Sequence, residues 1–264
     1  MTMTKVSIEG NKWIVDGIPT YSDIKYRGNS IEGLLLNARM VNAIFDDENP
    51  YTRDIWNYPD TGEWDADRNT NEFVAMLPEY REHGLAAITV NLQGGAPSGY
   101  YRLNQFREFM HQKGISGSDS EIWKGLPSPE SQPWDSSGFT PDGSLKIEYT
   151  HRLNRILEKT NQLSMVVILG LFYFGQDERL QDEKAIKSAV RNACEWVLSN
   201  GYENVVIEIN NECSVPKYEH EILQPHRVHE LIKLAKSVSI NSRSLLAGTS
   251  YGGNTIPGNN VTKS

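Results

Sequence analysis

The sequence predicts an α/β fold of the (β/α)8 TIM-barrel type, with about the first five βα units present and an N-terminal β-hairpin ahead of them. Three observations predict it. Apolar strand-like runs alternate with amphipathic helical stretches, which excludes an all-β sandwich and an all-α bundle. The run MVVILGL at 165–171 is apolar without interruption, as suits a parallel strand covered on both faces. The late units recur at about forty residues, from Met165 to Val205 to Leu245, the repeat of a βα barrel or solenoid.

The elements follow in order. Val6 and Ile8, then Trp13 and Val15, alternate around Glu9-Gly10-Asn11 and predict a hairpin, with Asp16-Gly17 as a second turn. Strands are expected at Gly33–Met40, Ala86–Leu92, Met165–Leu171, Val205–Ile209 and Leu245–Thr249. Thr70 or Asn71 can cap a helix running to His83 and stopped by Gly84, and Pro78 inside it argues for a kink or a late start. A helix from Ser144 to about Asn161 puts Tyr149, Leu153, Ile156 and Leu157 on one stripe. Another, from Asp182 to about Asn200, does so with Ile186, Ala189, Val190, Ala193 and Val197, and Gly201 ends it. A further helix follows Pro225, with Val228, Leu231, Ile232 and Ala235 inward. Two long irregular stretches, Phe45–Asn69 and Gly94–Gly143, follow strands directly and so belong at the C-terminal rim of a parallel sheet. Residues 1–30 are expected to form the hairpin and lead-in and residues 31–264 the barrel, which stops before its last strands because a full barrel takes about 250 residues before insertions.

Composition narrows the function. The 264 residues carry 26 Lys and Arg against 34 Asp and Glu, a net charge of −8. With a pI near 5.3, this balance argues against nucleic acid or an anionic membrane as a partner. Mean hydropathy is −0.51, and no apolar run approaches the ~18–20 residues of a membrane span. The opening MTMTKVSIEGNKW lacks the apolar core of a secretory signal, so the cytoplasm is the default expectation. Two cysteines, Cys194 and Cys213, make no disulfide framework and fit a reducing compartment.

The sharpest chemical feature is VVIEINNEC at Val205–Cys213. Alternation sets Glu208, Asn210 and Glu212 on one side and Ile207, Ile209 and Asn211 on the other, unless the strand end bulges. A carboxyl at the C-terminal mouth of a barrel strand is where this architecture does chemistry. A half-buried Glu beside a second carboxylate keeps its proton toward neutral pH, as general acid catalysis requires. The alternative is a polar strand end whose Asn caps the next turn.

Glu208-Ile209-Asn210-Asn211-Glu212 resembles the fourth-strand signature of clan A glycoside hydrolases, in particular the cellulase-like family 5 enzymes. The hairpin segment Asp16-Gly17-Ile18-Pro19-Thr20 and the third-strand end Phe172-Tyr173-Phe174 agree with the resemblance. It implies that Glu212 is the catalytic acid/base of a retaining hydrolase acting on a β-linked oligo- or polysaccharide. It also implies that Asn211 binds the sugar hydroxyl next to the anomeric carbon, and that no metal or organic cofactor takes part. The chain has Cys213 where the family often has Pro. The family's nucleophile is a second Glu at the end of a seventh strand. Only 52 residues follow Glu212 in this chain of 264, and Glu219, Glu221 and Glu230 fall in loop or helix. The second carboxylate is therefore expected beyond Ser264, and this chain alone is expected to be inactive or misassembled. Strand-end groups that can line the cleft are Arg39, Asn91, Gln93, Tyr173 and Tyr251. Trp56, Trp64, Trp123 and Trp134 are rim aromatics that can stack on sugar rings.

Other readings remain. One is a non-catalytic carbohydrate-binding barrel; another is an unrelated barrel sugar enzyme, such as an isomerase or lyase, built on metal ligands. Gly248-Thr249-Ser250-Tyr251-Gly252 matches G-x-S-x-G, but no helix promptly follows and no His lies downstream. His220, His226 and His229, with Glu219 and Glu230, read better as a polar helix face than as a metal site. No phosphate-binding glycine motif is present. The sequence is silent on oligomeric state.

Overall fold

The computed structural model describes residues 3–40, 42–95, 108, 111–112, 132–253, 255–262 and 264. Tyr100, Tyr101 and Trp123, and most of the Gly94–Gly143 stretch, lie outside the described residues.

The N-terminal hairpin forms as its alternation predicts. Strands β1 (Val6–Glu9) and β2 (Lys12–Val15) pair antiparallel, and β3 (Ile18–Pro19) adds after Asp16-Gly17. A two-stranded ribbon, β4 (Lys25–Tyr26) with β5 (Asn29–Ser30), leads into the main sheet. That sheet has five parallel strands in sequential order: β6 (Asn37–Arg39), β7 (Ala87–Asn91), β8 (Val166–Phe172), β9 (Val205–Asn210) and β10 (Leu246–Gly248). Sequential parallel strands with a helix in most crossovers are the construction of a singly wound βα unit array. Among the described residues the sheet is open, with β6 and β10 at its edges.

Four helices cover one face: α1 (Ala66–Glu82), α2 (Ile147–Gln162), α3 (Glu183–Ser199) and α4 (Val228–Ser237). Every second strand residue turns toward them. Ile88, Val90, Val167, Leu169, Leu171, Ile207 and Ile209 share one core with Leu153, Ile156, Leu157, Ile186, Val190, Val197, Leu231 and Ile232. The other face is separate. At its N-terminal end Ala87 and Val166 pack under Val6 of the hairpin, with Trp13, Val15, Leu35 and Val206 around them. The hairpin thus closes the floor and leaves the C-terminal end of that face for polar side chains.

α1 begins earlier than the sequence suggests. Asp65, not Thr70 or Asn71, is its N-cap, and the Asp65 carboxylate accepts the Arg68 amide at 2.9 Å. Thr70 is instead buried, its hydroxyl donating to the Ala43 carbonyl at 2.8 Å. Pro78 lies well inside the helix, whose 17 residues hold the turn together despite the missing donor. α3 starts as expected, with the Asp182 carboxylate accepting the Ala185 amide at 2.7 Å.

Gly143 shows how closely the connection before α2 packs on α3. Its φ is +86°, and a Cβ there would overlap the Ala185 carbonyl oxygen and lie 2.9 Å from the Ala189 nitrogen. Both partners are helix backbone, which cannot yield locally. Gly143→Ala is expected to cost about 2–4 kcal/mol, from the left-handed backbone and overpacking together. Equilibrium urea unfolding reads this directly, and a loss below about 0.5 kcal/mol would show that the segment adjusts freely.

Candidate active site

One row of residues crosses the sheet in register near its C-terminal end: Asn91 on β7, Gly170 on β8, Glu208 on β9 and Gly248 on β10. Ile207 and Ile209 belong to the helix-side core, so Glu208 faces the opposite side, as alternation requires. The two glycines keep that side open. A Cβ on Gly170 would overlap Asn91 Oδ1 and lie 3.3 Å from Glu208 Oε2, so both polar groups lean over a gap that only glycine leaves.

These groups are buried and under-used. Asn91 is 2% exposed and Glu208 8% exposed. Among the described residues, neither Asn91 Nδ2 nor Oδ1, nor Glu208 Oε2, has a hydrogen-bond partner. Buried amides and carboxylates are ordinarily satisfied, so the row offers a donor and two acceptors to whatever fills the space above it. The Arg39 guanidinium, at the end of β6, stands 3.8 Å from Glu208 Oε2 and is itself exposed. Burial pushes the Glu208 carboxyl up from its ordinary pKa. The Ser250 hydroxyl and the Arg39 charge pull it back, and the neighbouring Glu212 charge adds to the rise.

Glu212 stands two residues past the end of β9, half-buried. Its φ is +49°, the left-handed region that a glutamate enters only at a cost of about 1–2 kcal/mol. Strict alternation therefore ends at Asn210. The peptide joining Asn211 to Glu212 is clamped at both polar groups by side-chain hydroxyls. The Tyr218 hydroxyl donates to the Asn211 carbonyl, and Ser250 Oγ accepts the Glu212 amide at 2.8 Å. The Cys213 amide donates to the Ser250 carbonyl at 2.9 Å, and the Val215 amide to the Glu212 carbonyl at 2.8 Å. Asn211 Nδ2 reaches Glu212 Oε2 at 3.5 Å, so the amide steadies the carboxylate.

Ser250 holds this corner through two contacts, one to the Glu212 amide and one to the Glu208 carboxyl. Removing its hydroxyl leaves the part-buried Glu212 amide without its acceptor. Ser250→Ala is expected to speed amide exchange at Glu212 by about tenfold, with Ser250→Thr restoring most of the protection. Hydrogen exchange of the two variants decides it, and equal protection of Glu212 in Ser250→Ala and wild type would remove Ser250 from the corner.

The structure sorts the remaining candidates. Arg39 and Asn91 gather with Glu208, and Asn211 with Glu212. Tyr251 directly follows the Ser250 corner and is half-buried. Four residues expected at the cleft or its rim, Gln93, Tyr173, Trp134 and Trp56, are instead buried. Gln93 is fully buried and engaged on both ends: Nε2 donates to Ser137 Oγ at 3.0 Å and to the Gln176 carbonyl at 3.3 Å, and Oε1 accepts the Tyr173 amide at 3.4 Å. It ties loops together because the strand turns it under them. Tyr173 is fully buried, its ring tilted against Phe174 at 4.5 Å between centroids and pressed against the backbone at Gly94, where a Cβ would lie 2.7 Å from the Tyr173 Cβ. Trp134 is 3% exposed and packs edge-on to Trp56, 5.8 Å between centroids. Trp56 is buried as well, its indole donating to Asp47 at 2.8 Å. Only Trp64 among the described rim tryptophans keeps a partly exposed face, stacked on Tyr58 at 5.9 Å. An aromatic in a polar stretch can face inward when a buried carboxylate takes its N–H group, as Asp47 does for Trp56, while the half-buried Asp46 takes that of Trp64.

Tyr218 joins the corner with no local signal in the sequence, whereas Glu208 and Ser250 are visible there in other settings. The signal for Glu208 is the alternation itself. Ser250 is legible only as part of a G-x-S-x-G match, whose nucleophilic reading the structure redirects to a backbone clamp. Among the described residues no group of three or more His, Cys, Asp or Glu is placed to hold a metal ion. His226 instead bonds Glu221 at 3.0 Å, and His220 Nε2 lies 3.0 Å from the Leu180 carbonyl. Among the described residues no helix is long and apolar enough to cross a membrane.

No protein-family model matches the sequence, and no curated protein matches it either. Among solved structures, the chain is similar to a glycoside hydrolase family 5 protein from Bacteroides vulgatus ATCC 8482, at 11% identity and a TM-score of 0.45, over 96% of this chain and 40% of that one. It is also similar to a β-glucosidase from Thermotoga maritima in complex with a methoxycarbonyl-substituted glucoimidazole, at 11% identity and a TM-score of 0.38, over 76% of this chain and 44% of that one. The chain thus spans less than half the length of either structure. At this distance the assignment rests on the site's own geometry.

Proposed function

We propose that this chain contributes the acid/base half of a retaining glycoside hydrolase acting on a β-linked glycan, with Glu212 as the proton donor. The observation that carries the reading is the clamped, left-handed Glu212 at the mouth of the fourth parallel strand, near the buried Glu208 carboxyl, which itself meets the unpartnered Asn91 amide across Gly170. Strain of this kind persists only where surrounding contacts over-determine it, and it gathers at sites of function.

In this reading Glu212 protonates the departing glycosidic oxygen in the first step and takes a proton from the attacking water in the second. Asn211, bonded to the Glu212 carboxylate, would bind the hydroxyl beside the anomeric carbon. Asn91 and Arg39 would bind sugar oxygens along the row, and Tyr251 would stand beside them. The Glu208 carboxyl, 8% exposed and bonded to Ser250, serves in this reading as a binding group of the row rather than as the nucleophile. Burial raises its pKa, which favours its neutral form and so reduces repulsion at Glu212. We place the nucleophilic carboxylate outside these 264 residues, about 5–5.5 Å from Glu212 in the assembled site.

The test is Glu212→Gln in the intact natural protein, assayed both for turnover of aryl β-glycosides and for binding of the matching oligosaccharide. Lost turnover with retained binding supports the assignment. Wild-type turnover overturns it. Oligosaccharide binding by a wild-type protein that turns over no glycoside would favour a non-catalytic carbohydrate-binding role.

A further inference from the structure

The loop that carries the Tyr218 clamp is anchored by a carboxyl outside the row described above. Asp177, in a short 3-10 turn (Asp177–Arg179) after β8, is fully buried. Its Oδ2 accepts the backbone amides of Glu219 at 3.0 Å and His220 at 3.2 Å. These two residues directly follow Tyr218, whose hydroxyl holds the Asn211 carbonyl. A continuous path therefore runs from Asp177 through residues 218–220 to the peptide that orients Glu212.

The other end of the Asp177 carboxyl faces Glu178. Among the described residues, Asp177 Oδ1 and both Glu178 oxygens are buried atoms with no donor. Two buried carboxyls that share a contact cannot both be ionised without a large cost, and one proton between them supplies the missing hydrogen bond. Among the described residues, the titratable and charged groups around Asp177 are Glu178 and Arg179 on its own turn and Tyr218, Glu219 and His220 on the loop. Arg179 is turned away to Asp135, at 3.2 Å, and His220 gives its ring nitrogen to Leu180. No cation among these groups neutralises the pair. Burial and the Glu178 charge accordingly raise the Asp177 pKa.

We propose that Asp177 is a positioning residue for Glu212, and that a proton shared with Glu178 keeps the 218–220 loop, and through Tyr218 the Asn211–Glu212 peptide, locked in place. The link to catalysis rests on the acid/base reading of Glu212, whereas the lock itself does not. The sign of the pH dependence follows from linkage. A carboxyl whose pKa is higher in the folded state contributes stability that is complete at low pH and is lost as pH rises through the folded value. Ionisation strengthens the two amide bonds to Oδ2, but it leaves two adjacent buried like charges that opening of the loop would hydrate, and burial and the Glu178 charge outweigh the amides in the net rise. The loop should therefore be tightest in mild acid and loosen in alkali.

Amide hydrogen exchange of the 264-residue chain tests this without any activity assay. After correction for the intrinsic rate, protection of Glu212, Glu219 and His220 should fall by about tenfold or more between pH 6 and pH 9. Asp177→Asn, whose amide can accept from the loop and donate to Glu178, should keep that protection at both pH values. Asp177→Ala should lose it at both. If Asp177→Ala fails to fold, the wild-type pH series and Asp177→Asn still decide. Protection in the wild type that does not change with pH, or a pH dependence unaltered in Asp177→Asn, would overturn the proposal. Tyr218→Phe in the intact natural protein should lower kcat about tenfold with KM nearly unchanged, since it disorients a catalytic group without touching substrate. Should the lock behave as described while Glu212→Gln keeps full turnover, the acid/base reading fails and the lock stands.

Discussion

Glu212→Gln in the intact natural protein is expected to lower turnover of a β-linked oligosaccharide by ~10²–10⁴, the usual worth of a positioned general acid and base. The substitution keeps the shape of the side chain and leaves the backbone clamp from Ser250 and Tyr218 in place. The loss is therefore chemical rather than structural, and the melting temperature should hardly move. The leaving group sharpens the test. A dinitrophenyl aglycone departs without protonation, so the first step should survive the substitution while the second still lacks its base. Intermediate then accumulates, and kcat and KM should fall together for that substrate. An alkyl or sugar aglycone needs the acid, and for it kcat/KM itself should collapse. Equal losses on both substrate types would point to damaged binding instead.

Asp47→Ala is expected to be the most destabilising of the single changes considered, at about 3–5 kcal/mol. Asp47 is fully buried and accepts four donors: Thr52 Oγ1 at 2.6 Å, Trp56 Nε1 at 2.8 Å, and the amides of Asn49 and Asp135, each at 2.9 Å. Alanine leaves all four without an acceptor in a place water reaches poorly. The carboxylate joins the loop after β6 to the segment before α2, so its loss should also loosen the Trp56–Trp134 packing. Asp47→Asn retains one acceptor oxygen and should recover part of the loss. Urea unfolding followed by tryptophan fluorescence measures both variants, and a cost under about 1 kcal/mol for alanine would mean that the loops find other acceptors.

Much of this architecture is legible in the residues. The hairpin, the five strands and the inward stripes of α2, α3 and α4 follow from periodicity, because each element buries one face against a continuous core. The start of α1 was less legible. Asp65 sits in a run of acidic and polar residues where several positions can cap, and only the Ala43 carbonyl, distant in sequence, claims the Thr70 hydroxyl. Within the site, Glu212 and Asn211 are readable from the strand end. The left-handed turn at Glu212 is not, since it depends on Ser250, 38 residues later in the chain. The tryptophans mislead for a related reason. Polar neighbours suggest exposure, yet Asp47 is the very group that lets Trp56 turn inward.

The most direct measurement of the central claim is azide rescue of Glu212→Ala in the intact natural protein. With an activated β-aryl glycoside, turnover should be slow in buffer, rise with added azide and yield the β-glycosyl azide. Azide needs no base, so it can attack the covalent intermediate from the face Glu212 leaves empty. Turnover equal to wild type in the absence of azide, with free sugar as the product, would contradict the role of Glu212 as acid and base.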